Sequence, residues 1–134
     1  MADLVITPAD VLRYDGSQTD SGTAGEAITA GQTLYKHSDG KLYKADSTTA
    51  VKARAVGVSL NDAAADQPVA FIKSGGFDPG ATVAVGTIYG VTDTAGGIGP
   101  VGDRGIGDYL TILGVAVTDS RIDLNINRSE VAVA

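Results

Sequence analysis

The 134-residue chain has no cysteine, no tryptophan, one histidine, one methionine, two phenylalanines and two glutamates. Without cysteine there is no disulfide framework, no thiolate zinc site and no cysteine nucleophile. The lone imidazole, His37, excludes a multi-histidine metal centre. No apolar run approaches the ~20 residues that span a bilayer, and the opening residues lack a basic stretch followed by an apolar one, so neither a membrane span nor a secretion signal is expected. What is abundant points the other way: 14 Val, 13 Thr, 9 Ile and 18 Gly favour strands and turns over helices, so the expected fold is all-β. Ten basic against sixteen acidic residues give a formal charge of −6. With the cations scattered, that balance opposes binding to a phosphate backbone, and no nucleic-acid partner is expected.

A chain of this size buries roughly two-thirds of its unfolded surface, enough for one core. Two parts are expected. Residues 1–25 read as an extended arm: Leu4, Val5 and Ile6 precede Thr7 and Pro8, then come Val11, Leu12 and Tyr14, and residues 15–25 are too polar and Gly-rich to pack by their side chains. These apolar beads need a surface that the arm does not supply, and removing residues 1–14 is expected to leave folding intact. Residues 26–134 read as a single small barrel or sandwich of short antiparallel strands. Asp39-Gly40 between two alternating segments is a strong hairpin signal. Residues 53–60 suit a strand covered on both sides, with Gly57 marking a close backbone approach. Residues 61–66 suit one helical turn, and 69–73 the next strand.

The second half repeats this plan. Thr33-Leu34-Tyr35 resembles Thr87-Ile88-Tyr89, Ala55 to Asp62 resembles Ile112 to Asp119, and Lys73-Ser74 resembles Arg128-Ser129, at an offset close to 55 residues. A register kept over three landmarks argues for an internal duplication, each copy supplying half of the β-structure.

Chemistry is sparse. His37-Ser38-Asp39 holds the residue types of a hydrolytic triad, but neighbours at a hairpin tip diverge and cannot form the chain of hydrogen bonds a triad needs. Residues 97–102 match G-x-G-x-x-G, yet Pro100, Gly102, Gly105 and Gly107 forbid the helix that a dinucleotide site requires. Residues 94–108 are therefore expected to be an exposed loop with Asp103, Arg104 and Asp108 as solvated charges. Asp39-Gly40-Lys41 raises a carrier-domain reading, since lipoyl and biotinyl carriers present a modified lysine at such a tip, but the residues that flank the lysine in the biotinyl motif are missing. The fourteen aspartates form no D-x-[DN]-x-[DN]-G calcium loop. No enzyme, cofactor or metal is expected.

The order Gly31-x-Thr-Leu-Tyr, Ser38-Asp39-Gly40-Lys41-Leu42, Ala55-Val56-Gly57-Val58 and Val69 to Phe77 resembles the capsid decoration, or cement, proteins of tailed bacteriophages, including the lambda-type head decoration protein. The resemblance covers residues 26–91 best. It implies a β-rich virion protein, made in the bacterial cytoplasm, that binds the outer face of a mature head and stabilises it by bridging major capsid subunits. It also implies a homo-oligomer, a trimer in most members and a dimer in some. The arm residues Leu4, Val5, Ile6, Thr7, Pro8, Val11, Leu12 and Tyr14 are then the expected capsid contacts. A β-barrel binding module of a tail fibre, or a carbohydrate-binding domain, is the alternative; it would need clustered exposed aromatic rings.

Overall fold

The computed structural model describes residues 3–103 and 108–132. Among them lie the strands β1 (Val11–Arg13), β2 (Gln18–Thr23), β3 (Thr33–Lys36), β4 (Leu42–Lys44), β5 (Ala55–Ser59), β6 (Pro68–Pro79), β7 (Ile88–Val91), β8 (Ile98–Pro100), β9 (Tyr109–Thr118) and β10 (Arg121–Ala132). Single 3-10 turns occupy Pro8–Asp10 and Val101–Asp103. The fold is all-β, one antiparallel sheet curled into a half-barrel. Arg104, with residues 105–107, lies outside the described residues, as do residues 1–2 of the arm.

The twelve residues of β6 organise the sheet. Ile72 pairs with both Val58 and Thr19, Ser74 with Gln18 and Asn125, and Phe77 with Arg13 and Ile122. A strand residue has only two sides on which to pair, so β5 and then β10 lie along one edge of β6, and β2 and then β1 along the other. Between these pairings β6 bends at Gly75, whose φ of +98° is readily available only to glycine. A Cβ there would stand 2.6 Å from Ser17 Cα, so the crossing also requires the missing side chain.

Outward from β6 the order is β4-β3-β5-β6-β10-β9-β7-β8. Exchanging β3, β4, β5 and β6 for β7, β8, β9 and β10 reverses that order onto itself, the topology a duplicated unit produces when its copies meet about an approximate two-fold axis. The hairpin forms as expected, with Tyr35 opposite Tyr43 and Gly40 at φ +83°. Gly57 does sit under a close approach, with Phe71 and the Ile72 carbonyl where its Cβ would be.

One face of the sheet carries the main core, including Tyr35, Val58, Ile72, Phe77, Leu113 and Ile122. A second cluster of Ala24, Ile28, Leu34, Leu42, Val69 and Phe71 lies behind the first half. The two sides of β3 thus serve different cores, with Leu34 in one and Tyr35 in the other, as the two-residue repeat of a strand dictates.

Three expectations are corrected. Residues 3–25 do not stand off the body as an arm: β1 and β2 pair with β6, Leu4 N–H donates to the Ile98 carbonyl at 2.8 Å, and Gly25 N–H donates to the Leu42 carbonyl at 2.8 Å. Main-chain pairing orders β2 even though its side chains are exposed or half-buried, so polarity alone was a poor guide. The segment meets both outer strands, β4 and β8. Residues 98–100, expected within an exposed loop, form the buried strand β8 because Ile98 fills the main core. Residues 61–66 form no helix; Asp66 takes a φ of +69°, and Ala63 instead bridges to Ile28.

Deleting residues 1–14 is accordingly expected to abolish a cooperative thermal transition, read by circular dichroism. Gly75→Ala should cost about 2 kcal/mol or more in urea unfolding. A Gly75→Ala protein with wild-type stability would show that β6 does not need this bend.

Candidate docking surface

Pro8 opens the 3-10 turn, where its missing N–H costs nothing, and Asp10 N–H closes it onto the Thr7 carbonyl at 2.9 Å. The turn separates two short extended runs, each with one side toward the body. In the first, Leu4 and Ile6 pack against the main core while Val5 between them is 89 % exposed. In the second, Val11 is buried and Leu12 is 61 % exposed. Thr7 and Pro8 are exposed as well.

Tyr14 is half-buried and joins the segment to the far side of the sheet. Its ring lies 5.0 Å below the Arg121 guanidinium, which is itself held by Asp123 at 2.8 Å. Of the eight expected contact residues, the structure therefore presents Val5, Thr7, Pro8 and Leu12 outward and commits Val11 to packing, with Leu4, Ile6 and Tyr14 between these extremes.

Two grooves flank this segment. One, of about 280 Å³, runs between Leu4, Ile6 and Pro8 and the loop residues Ala30, Gly31 and Ala95. The other, of about 450 Å³, lies beside Leu12 and is lined by Asp10, Asp78 and Asp119 with no cationic side chain. Among the described residues no carboxylates gather closely enough to hold a metal ion, so these three act only through their summed negative potential. They were not picked out from the sequence: each sits singly in a turn or strand, and only the pairing of β6 with both β1 and β10 brings them to one place. Asp3 was missed for the same reason; its carboxylate accepts a hydrogen bond from the buried Thr92 hydroxyl at 2.9 Å.

The hairpin tip is a second concentration of polar groups. Asp39 accepts the Lys41 N–H at 2.8 Å and the Tyr43 hydroxyl at 2.7 Å, which hold its carboxyl below the usual carboxylate range. Lys41 Nζ lies 2.6 Å from Asp66, and this contact pushes the lysine up, keeping it protonated. A carrier lysine must instead offer a free amine, so the geometry does not favour the carrier reading. The rings of Tyr35, His37 and Tyr43 gather here, but His37 meets each tyrosine at 62° and Tyr35 is buried.

No family model matches the chain, and no curated protein matches it.

Gly40→Val should destabilise the hairpin by about 1 kcal/mol or more, while Lys41→Ala, at an exposed ion pair, should leave the melting temperature nearly unchanged. The Asp39 contribution is present above the ordinary carboxylate value and is lost as pH falls through its lowered one. That of Tyr43, whose hydroxyl Asp39 pushes up, is lost only as pH rises through its raised value. The Lys41 amide resonance should thus show an acid-side titration whose midpoint lies below the ordinary aspartate value. A midpoint at or above the ordinary aspartate value would contradict the Asp39 contact.

Proposed function

We propose that the protein is a capsid decoration protein of a tailed phage, which binds the outer face of the mature head and stabilises it by bridging neighbouring capsid subunits. The observation that carries this reading is the pairing of Val5 and Leu12. They are among the most exposed large apolar side chains described, and they stand on a segment whose backbone is already fixed by the sheet. Apolar groups on a fixed backbone bind without a large ordering cost. The carboxylates beside Leu12 favour a capsid surface that is basic around an apolar patch. The order of motifs over residues 26–91, similar to that of decoration proteins, supports the same reading.

Such a protein acts by number. Each contact is modest, but a homo-oligomer engaging several shell subunits multiplies weak contacts into stable attachment. The −6 charge keeps the free protein soluble until the shell offers its sites.

The test is binding of the purified protein to expanded phage heads stripped of their own decoration protein, with occupancy read by cryo-electron microscopy. The double variant Val5→Asp/Leu12→Asp should lose at least about tenfold in occupancy and keep its melting temperature, since both side chains are exposed. Wild-type occupancy by that variant would overturn the reading.

A further inference from the structure

The dipeptide Asp-Gly occurs twice, as Asp15-Gly16 and Asp39-Gly40. Glycine leaves the amide nitrogen that follows an aspartate unshielded, and that nitrogen can attack the side-chain carboxyl carbon. Sterically the two copies are matched. Both are exposed, both glycines have a positive φ, +85° at Gly16 and +83° at Gly40, and a Cβ built on either would meet nothing within 4 Å. What differs is the place of the dipeptide in its turn. At the hairpin tip the turn runs from His37 to Gly40, so Gly40 closes it, donating its N–H to the His37 carbonyl at 2.9 Å. The Asp39 carboxylate is held as well, by the Lys41 N–H at 2.8 Å and the Tyr43 hydroxyl at 2.7 Å. Between β1 and β2 the turn runs from Tyr14 to Ser17, and the dipeptide sits one position earlier in it. Here Ser17 closes the turn, its N–H 3.2 Å and its hydroxyl 2.7 Å from the Tyr14 carbonyl. Gly16 falls at the third position, whose amide a β-turn leaves unbonded. Among the described residues neither the Gly16 N–H nor the Asp15 carboxylate has a hydrogen-bond partner.

We propose that Asp15-Gly16 is a site of spontaneous modification, at which the folded chain converts aspartate to isoaspartate, and that the turn around Asp39-Gly40 protects the same dipeptide there. The Gly16 nitrogen attacks Asp15 Cγ: a C–N bond forms, a Cγ–O bond breaks, and the carboxyl oxygen leaves as water with the amide proton and the carboxyl proton. The product is a five-membered succinimide. Water then adds back at one of its two carbonyl carbons. Opening at Cγ restores aspartate. Opening at the main-chain carbon leaves the chain running through Cβ and Cγ, with the former main-chain carbon as the free carboxylate. No atom is gained or lost overall, and no oxidant or cofactor is needed. Asp39 resists twice over, since its attacking nitrogen is bonded and its hydrogen bonds favour the ionised carboxylate, whose oxygen is the poorer leaving group. At Asp15 the product has a structural consequence. Arg13 pairs with Phe77 and Gln18 with Ser74, and Ser17 Cα lies 2.6 Å from where a Cβ on Gly75 would stand. An added main-chain carbon in so tight a turn displaces β1 or β2 from its register on β6. The inference concerns the chain's own chemistry and does not rest on shell binding.

The test holds the folded full-length protein at neutral pH and physiological temperature for several weeks and then digests it with trypsin. Cleavage after Arg13, Lys36 and Lys41 puts Asp15 and Asp39 in separate peptides. Electron-transfer fragmentation tells isoaspartate from aspartate and assigns it to a residue, which also separates Asp15 from Asp20 in the same peptide. Isoaspartate should accumulate at Asp15 at least about tenfold faster than at Asp39, because Asp39 must first break its hydrogen bonds. In concentrated guanidinium, where both turns are lost, the two sites should convert at similar rates. Asp15→Glu keeps the charge but would need a six-membered ring, and it should remove the signal from that peptide. No isoaspartate at Asp15, equal accumulation at the two sites in the folded protein, or an undiminished preference for Asp15 in guanidinium would overturn the proposal.

Discussion

Along β6 both rows of main-chain hydrogen-bonding groups are engaged, by β5 and β10 on one side and by β2 and β1 on the other. Unpaired peptide groups at the centre of a protein are costly, and here four strands meet that requirement for one another. A single strand serves both halves: residues 71–72 of β6 pair with β5, and residues 74–77, with Gly75 at their left-handed position, pair with β10. The main core draws on both halves for the same reason, with Tyr35 and Val58 from one packed together with Leu113 and Ile122 from the other.

How far the sequence could be read depended on the range of each interaction. The β3–β4 hairpin was legible because Asp39-Gly40 determines it locally, and β5 because its run of small apolar residues and Gly57 fits a strand covered on both sides. The duplication was legible as repeated landmarks. The placement of residues 3–25 was not, because their order comes from main-chain pairing with a strand some fifty residues away, and composition is blind to that. Residues 98–100 were misjudged since glycine on either side outweighed the one apolar residue, Ile98, that anchors them. Of the candidate contacts, the outward set could have been narrowed by strand alternation alone: Leu4 and Ile6 inward with Val5 outward, and Val11 inward with Leu12 outward.

The acidic balance of the chain is unevenly spent. Asp10, Asp78 and Asp119 gather beside Leu12, while the β7–β9 face is nearly free of charge.

The position of the N-terminal segment also bears on how the molecule is made. Leu4 finds its partner at Ile98, and β1 and β2 find theirs on β6, so residues 4–23 are satisfied by contacts of long sequence separation. Closing such long loops must precede the contacts that reward it, and this slows folding relative to a chain built from local hairpins. Until those pairings form, Leu4, Ile6, Val11 and Leu12 stand on an unpaired segment, an edge open to pairing with other chains. The polar run of residues 15–23 that follows those apolar beads shortens the sticky stretch.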